Sequence, residues 1–160
     1  MATPTYDLLS TITTTSVVSS VTFTSFPTSY KDLVVVVNAK ANQNDSFLGL
    51  RLNNDTGNNY NFVDFYYPSG YTQKSNHNKI QMHGRLIDTS WTAFSINIMD
   101  YREYYTHTPI MARYGDGDSG TGMTAGRWAN AGRVTTINLF GGQGLQLAVG
   151  STFKLYGIAG

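Results

Sequence analysis

The chain has 160 residues and a mass of 17.6 kDa, enough for one domain that buries roughly two-thirds of the surface its unfolded chain exposes. Its 11 Lys+Arg and 10 Asp+Glu leave a net charge of +1, and only 13% of residues are charged, so it is not a basic nucleic-acid binder, an acidic tail or a self-repelling disordered chain. With 20 Thr, 11 Tyr and a single Glu, the composition favours strands over helices, and with no Cys it has no disulfide, thiolate metal site or thiol nucleophile.

The first thirty residues hold fifteen Ser or Thr and one charge, Asp7. A period-two apolar pattern predicts strands over Tyr6 to Thr13 and Val17 to Phe23, ended by Phe26-Pro27. No basic segment followed by an apolar run opens the chain, so no secretory signal is expected. Asp32 to Lys40 contains the longest aliphatic run, Leu33 to Val37, too short to span a bilayer and apolar on both faces. It is predicted as a central strand covered on both sides.

Two Asn/Asp-rich turns, Ala41 to Ser46 and Asn53 to Asn59, bracket a short strand over Phe47 to Leu52. Tyr60, Phe62, Phe65, Tyr66 and Tyr67 form the densest aromatic cluster, followed by Pro68 to Asn78, which reads as an exposed polar loop. Alternation returns at Ile80, Met82 and Leu86, then at Phe94, Ile96 and Ile98 in a strand reaching Tyr101. Ile110, Ala112 and Tyr114 predict another strand, and Gly115 to Gly126, with five Gly, reads as a loop. Arg127 to Ala129, Val134 to Phe140 and Thr152 to Ile158 are the closing strands, with Gly141-Gly142-Gln143-Gly144 as a hairpin turn between the last two. Ten or eleven short strands without a helical stretch predict an all-β, single-domain β-sandwich over residues 1–160, of jelly-roll type, with residues 1–16 as an N-terminal strand or arm.

Motifs that would carry chemistry are incomplete. Gly117-Asp118-Ser119-Gly120 has the form of a serine-protease nucleophile motif, but the continuation is Thr121-Gly122 and no matching histidine motif lies upstream, so it reads as a Gly/Asp turn. Asp116 and Asp118, with Asn130 or Asp100, offer oxygens to Ca²⁺; Gly120 and the missing Glu break an EF-hand spacing, leaving a structural calcium loop or a plain loop. His77, His83 and His107 lack a spacing that pairs two ligands, although His83 and His107 can meet across strands. Glu103 and Asp100 are the nearest candidates for a glycosidase pair. The tyrosines Tyr60, Tyr66, Tyr67 and Tyr71 have three readings: core, protein interface, or sugar-stacking surface.

Several segments together resemble small tailed-phage virion proteins, the jelly-roll cement or decoration proteins of cyanophage-type heads. They are Tyr6-Asp7-Leu8-Leu9, Val21-Thr22-Phe23, Phe26 to Leu33, Leu50-Arg51-Leu52-Asn53, Asp55 to Tyr60, Asp100-Tyr101, Gly126-Arg127-Trp128 and Gly150 to Ile158. The resemblance implies a non-enzymatic virion structural protein on the outer capsid surface, made in the host cytoplasm, with no catalytic, cofactor-binding or metal-binding residues to carry over. It implies the major capsid protein and further copies of the chain, as a trimer, for partners, and neither nucleic acid nor membrane. Interface candidates are Tyr6, Leu8, Tyr60, Tyr66, Tyr67, Tyr71, Tyr104 and Tyr105. The alternative is a tail-fibre or baseplate domain that binds host-surface carbohydrate through Tyr60, Tyr66, Tyr67, Tyr71 or Trp91. The segment 1–16, nearly free of charge, is expected to help dock the domain by pairing with a neighbour's strand.

Overall fold

The computed structural model describes residues 5–43, 46–117 and 120–160. Among them are twelve strands: β1 (Tyr6–Thr13), β2 (Ser20–Thr24), β3 (Asp32–Ala39), β4 (Ser46–Leu52), β5 (Tyr60–Tyr67), β6 (Gly70–His77), β7 (Ile80–Leu86), β8 (Thr92–Ile98), β9 (Thr108–Asp116), β10 (Thr121–Trp128), β11 (Thr136–Gly141) and β12 (Thr152–Ile158). They form two antiparallel sheets packed as a sandwich. The larger has the order β1-β12-β3-β8-β9-β10-β5-β6 and the smaller β2-β11-β4-β7.

Setting aside β5, β6, β9 and β10 leaves eight strands with the orders β1-β12-β3-β8 and β2-β11-β4-β7. This is first-eighth-third-sixth facing second-seventh-fourth-fifth, the strand order of a jelly roll. The hairpins β5–β6 and β9–β10 are insertions that extend the larger sheet beyond β8. β7, the edge of the smaller sheet, packs under β5, β9 and β10, so most of the extension has a covered inner face.

The core lies between the sheets. Leu33, Val35 and Val37 of β3 and Phe94, Ile96 and Ile98 of β8 are buried with Leu50 and Leu52 of β4 and Ile137 and Leu139 of β11. Each such side chain, removed from water, contributes about 1.5–3 kcal/mol before the entropy of ordering is subtracted.

Four expectations need correction. Residues 70–77 are strand β6 rather than a loop: it is an edge strand beyond the reach of the smaller sheet, so nothing requires an apolar face. Residues 115–126 are mostly strand, with β9 running to Asp116 and β10 starting at Thr121. The glycines there mislead because Gly122 and Gly126 sit inside β10 where neighbours leave no room: a Cβ on Gly126 would lie 2.8 Å from Ile80 Cδ1. Residues 141–144 do not make a hairpin, since β11 and β12 belong to different sheets; a short 3-10 turn over Gly142–Gly144 starts a crossing that bridges Leu147 to Val18 and Ala41. Finally, β3 is central as expected but only one face is sealed by the second sheet, and Val36 on the outer face is exposed.

Candidate functional site

The inserted hairpins carry two features that stand out chemically. The first is a buried carboxylate. Asp64, on β5 with an inward-facing side chain, has no solvent exposure. It accepts from Tyr114 Oη at 3.0 Å, from Thr124 Oγ1, and from His83 at both the backbone N (3.3 Å) and Nδ1 (2.8 Å). The residues come from β5, β9, β10 and β7, so one carboxylate ties both inserted hairpins to the edge of the smaller sheet. Such a group is tolerated inside because several donors replace its water.

Tyr114 reaches Asp64 because its neighbours are glycines. A Cβ on Gly84 would lie 2.5 Å from Tyr114 Cδ2, and one on Gly122 would lie 2.5 Å from its hydroxyl. Burial first, and then the Asp64 charge, push the Tyr114 phenol up, so it remains a donor. The imidazole of His83 stacks on Tyr66, with ring centroids 5.1 Å apart and planes 18° from parallel, and meets Phe47 at 5.8 Å.

His83 is a quarter exposed and lines a cleft of about 420 Å³ at one end of the sandwich. The cleft is walled by Phe47 at the start of β4, Tyr66, Tyr67, Pro68 and Ser69 at the β5–β6 turn, Gly120 and Thr121, and Gln143 of the 3-10 turn. With Nδ1 donating to Asp64, the imidazole is fixed in orientation, and Nε2 is left to hydrogen-bond elsewhere.

The second feature is the outer face of the larger sheet. Register aligns a row Lys154–Val36–Ser95–Arg113–Met123–Phe65–Tyr71 across seven strands. A parallel row runs Tyr156–Val34–Asn97–Met111–Ala125–Val63–Gln73. Val36, Met111, Met123, Phe65, Tyr67 and Tyr71 are all between 41% and 67% exposed. At about 4.8 Å per strand and 3.3 Å per residue, the face measures roughly 29 by 26 Å, close to the ~800 Å² that one partner contributes to a standard interface. Its charges are cationic: Arg113 at the centre, Arg127 and Lys154 toward the margins. The acid at the end of β3, Asp32, is engaged by the backbone N of Asp100 at 2.8 Å.

The residues singled out from the sequence scatter over both features and beyond. Tyr67 and Tyr71 flank the outer face, and Tyr6, Leu8, Tyr104 and Tyr105 are exposed. Tyr66 is half-buried under His83, and Trp91 is exposed with Lys40 Nζ 5.1 Å from its ring. Tyr60 is neither interface nor sugar platform. It is fully buried, with Leu52 N donating to its hydroxyl at 3.0 Å, because its place on β5 turns it into the core opposite Trp128.

His107 lies against Arg127 Nη1 at 3.1 Å, at the opposite end of β9 from His83, so those two histidines are not brought together. Glu103 pairs with Arg102 Nε at 3.5 Å. Asp116 Oδ1 accepts from Gly120 N at 2.8 Å, while Asp118 and Ser119 lie outside the described residues. Among the described residues, no three His, Asp or Glu side chains gather as a metal site requires.

Sequence reasoning missed Asp64, Thr124 and the role of His83. The available signal was one acid in the middle of an aromatic strand, Tyr60 to Tyr67, where a charge must have inward partners or solvent. No family model, curated protein or solved structure matches the chain.

Proposed function

We propose that the chain is a non-enzymatic virion structural protein that docks through the outer face of its larger sheet onto the outer surface of a phage capsid lattice. The observation that supports this reading is that face: broad, with Met111, Met123, Phe65, Tyr67 and Tyr71 exposed from β9 outward to β6, and cationic at Arg113. Large apolar side chains gathered and exposed on one face mark an interaction surface. The cations make an acid-bearing surface the complementary partner, whereas two copies meeting face to face would bring Arg113 toward Arg113.

Contacts between copies, trimeric by analogy with three-fold sites of capsid lattices, then belong elsewhere. We place them at the free edge of β1, beside the exposed Tyr6 and Leu8. A protein that binds only the assembled lattice stabilises it by mass action and by bridging neighbouring subunits.

The experiment is attachment to bare heads. The wild-type chain should decorate them, and Arg113→Glu with Met123→Lys should abolish attachment while leaving the fold intact. Attachment unaffected by the pair would sink the outer-face reading. Deleting residues 2–5 separately tests the N-terminal segment, of which residues 1–4 lie outside the described residues.

A second reading is favoured by the tilted Phe65–Tyr71 pair, 6.2 Å between centroids, exposed beside Tyr67: a tail-fibre or baseplate domain that uses these rings on host carbohydrate. Copy number in purified virions separates the two, since hundreds of copies mean the head and a handful mean the tail.

A further inference from the structure

We propose that the cleft beside His83 is a binding site for an uncharged sugar ring, with His83 Nε2 as its central polar contact. This goes beyond docking, which uses the outer face of the larger sheet. The cleft instead opens at the end of the sandwich, under the β5–β6 turn.

The imidazole is built to present one nitrogen. Asp64 holds Nδ1 at 2.8 Å, and Tyr66 is stacked on the ring. Asp64 is itself committed to Tyr114 and Thr124, so it gives His83 a fixed base. Among the described residues Nε2 has no protein partner, and it belongs to a side chain that reaches the cleft. A core that needed only a donor for Asp64 had no use for a second imidazole nitrogen at the wall of a cavity.

The lining selects the ligand class. Apart from His83, none of the described residues lining the cleft is ionisable near neutral pH, so among them neither an anion nor a cation finds a counter-charge. An apolar ligand would strand His83 Nε2 and the Gln143 amide without partners. Phe47, Tyr66 and Tyr67 supply ring surface, and Ser69, Thr121 and Gln143 supply hydroxyl and amide groups. A pyranose matches both, with C–H faces for the rings and hydroxyls that donate and accept. The volume of about 420 Å³ falls within the range of small-molecule sites.

The test is an NMR titration of the full, ¹⁵N-labelled chain with glucose, galactose, mannose and N-acetylglucosamine, each taken to tens of millimolar. At least one sugar should give saturable shifts at the His83 ring and at the amides of Ser69, Thr121 and Gln143. Gln143 has φ 56°, so Gln143→Gly removes the amide without straining the turn, and it should weaken binding about three- to tenfold. His83→Phe should abolish binding. Because that variant also takes a donor from Asp64, Gln143→Gly keeps the test decisive if His83→Phe fails to fold. No saturable shift with any of the four sugars, shifts confined to the Tyr71 face, or an affinity unchanged by Gln143→Gly would overturn the proposal. Head attachment is read separately, so failure here leaves the docking reading standing.

Discussion

Trp128 donates its indole N–H to Asp55 Oδ2 at 2.7 Å, joining the end of β10 to the turn before β5 across 73 residues of sequence. Asp55 also accepts from Asn59 Nδ2 and Gly57 N, each at 2.8 Å. Burial opposes its ionisation, but these hydrogen bonds, with one from Asn130, hold its carboxyl below the usual carboxylate range. The native state therefore binds that proton more weakly than the unfolded chain does. The stability from Asp55 is complete above the ordinary carboxylate pKa and is lost as pH falls through its depressed native value. Asp55→Asn should flatten the acid limb of a stability–pH curve measured by urea denaturation. Trp128→Phe should lower stability by about 1–3 kcal/mol through the lost hydrogen bond and packing. An acid limb of unchanged steepness in Asp55→Asn would show that other carboxylates set it.

The Asp64 cluster should behave as a unit. Asp64→Ala leaves Tyr114, Thr124 and His83 with buried donors and no acceptor, and is expected to cost about 3–5 kcal/mol, as breaking a buried charged network does. Gly122→Ala attacks the same contact from outside. Its methyl would crowd both the Tyr114 hydroxyl and the Phe65 carbonyl, and because one of these is backbone, the strain has no cheap release. A loss of about 1–3 kcal/mol is expected. In the double variant the losses should be less than additive, because Gly122→Ala acts by displacing a hydroxyl whose acceptor Asp64→Ala has already removed. Thermal denaturation of the two single variants and the double variant checks this, and full additivity would show the two sites to be independent.

Legibility in the sequence followed the periodicity. β1 and β12 match their expected bounds, and β3 differs only at Lys40, because apolar residues alternate or run without interruption there. β6 and β10 were not legible for opposite reasons. β6 is an edge strand with polar residues on both faces, so no alternation marks it. β10 is interior, but two of its inward positions are glycine, since Tyr114 fills the space at Gly122 and Ile80 that at Gly126. Missing β10 hid Thr124 from Asp64, and with it the site. Asp55 to Tyr60 and Gly126 to Trp128 are legible for a further reason: they meet in space and fix a turn, which specifies fold more than role.

The outer face makes a prediction about separability. Phe65 and Tyr71 are cross-strand neighbours on the solvent side, and such pairs contribute roughly 0.2–1 kcal/mol. Phe65→Ser with Tyr71→Ser should therefore cost at most about 1 kcal/mol of stability, yet weaken attachment to bare heads well beyond that loss. Arg113→Glu should reduce the salt sensitivity of attachment as well as its strength. Sedimentation of heads with fluorescently labelled protein at low and high salt reads both effects. Attachment that tracks stability alone would mean the face is only a structural surface.

At the alkaline end the buried phenols dominate. Burial pushes the Tyr60 hydroxyl up to about 12 from its ordinary 10.0, with the Asp55 charge adding to the rise. Below pH 10 the phenol is protonated in both folded and unfolded chains and contributes no pH dependence. Above it the unfolded chain releases the proton while the native state keeps it, so stability falls as pH rises. The slope is about 1.4 kcal/mol per pH unit for each protected phenol, and for Tyr60 it persists until the native state ionises near 12. Tyr114, raised by burial and by Asp64, adds to the same limb. Tyr60→Phe should lower stability at neutral pH by about 1 kcal/mol, since it removes the hydroxyl between Leu52 and Asp55. It should also make the alkaline limb shallower, so that the wild-type advantage of about 1 kcal/mol is lost within about one pH unit above 10. Urea denaturation across this range, followed by tryptophan fluorescence from the core residue Trp128, checks it; parallel curves would mean that Tyr60 ionises equally in both states.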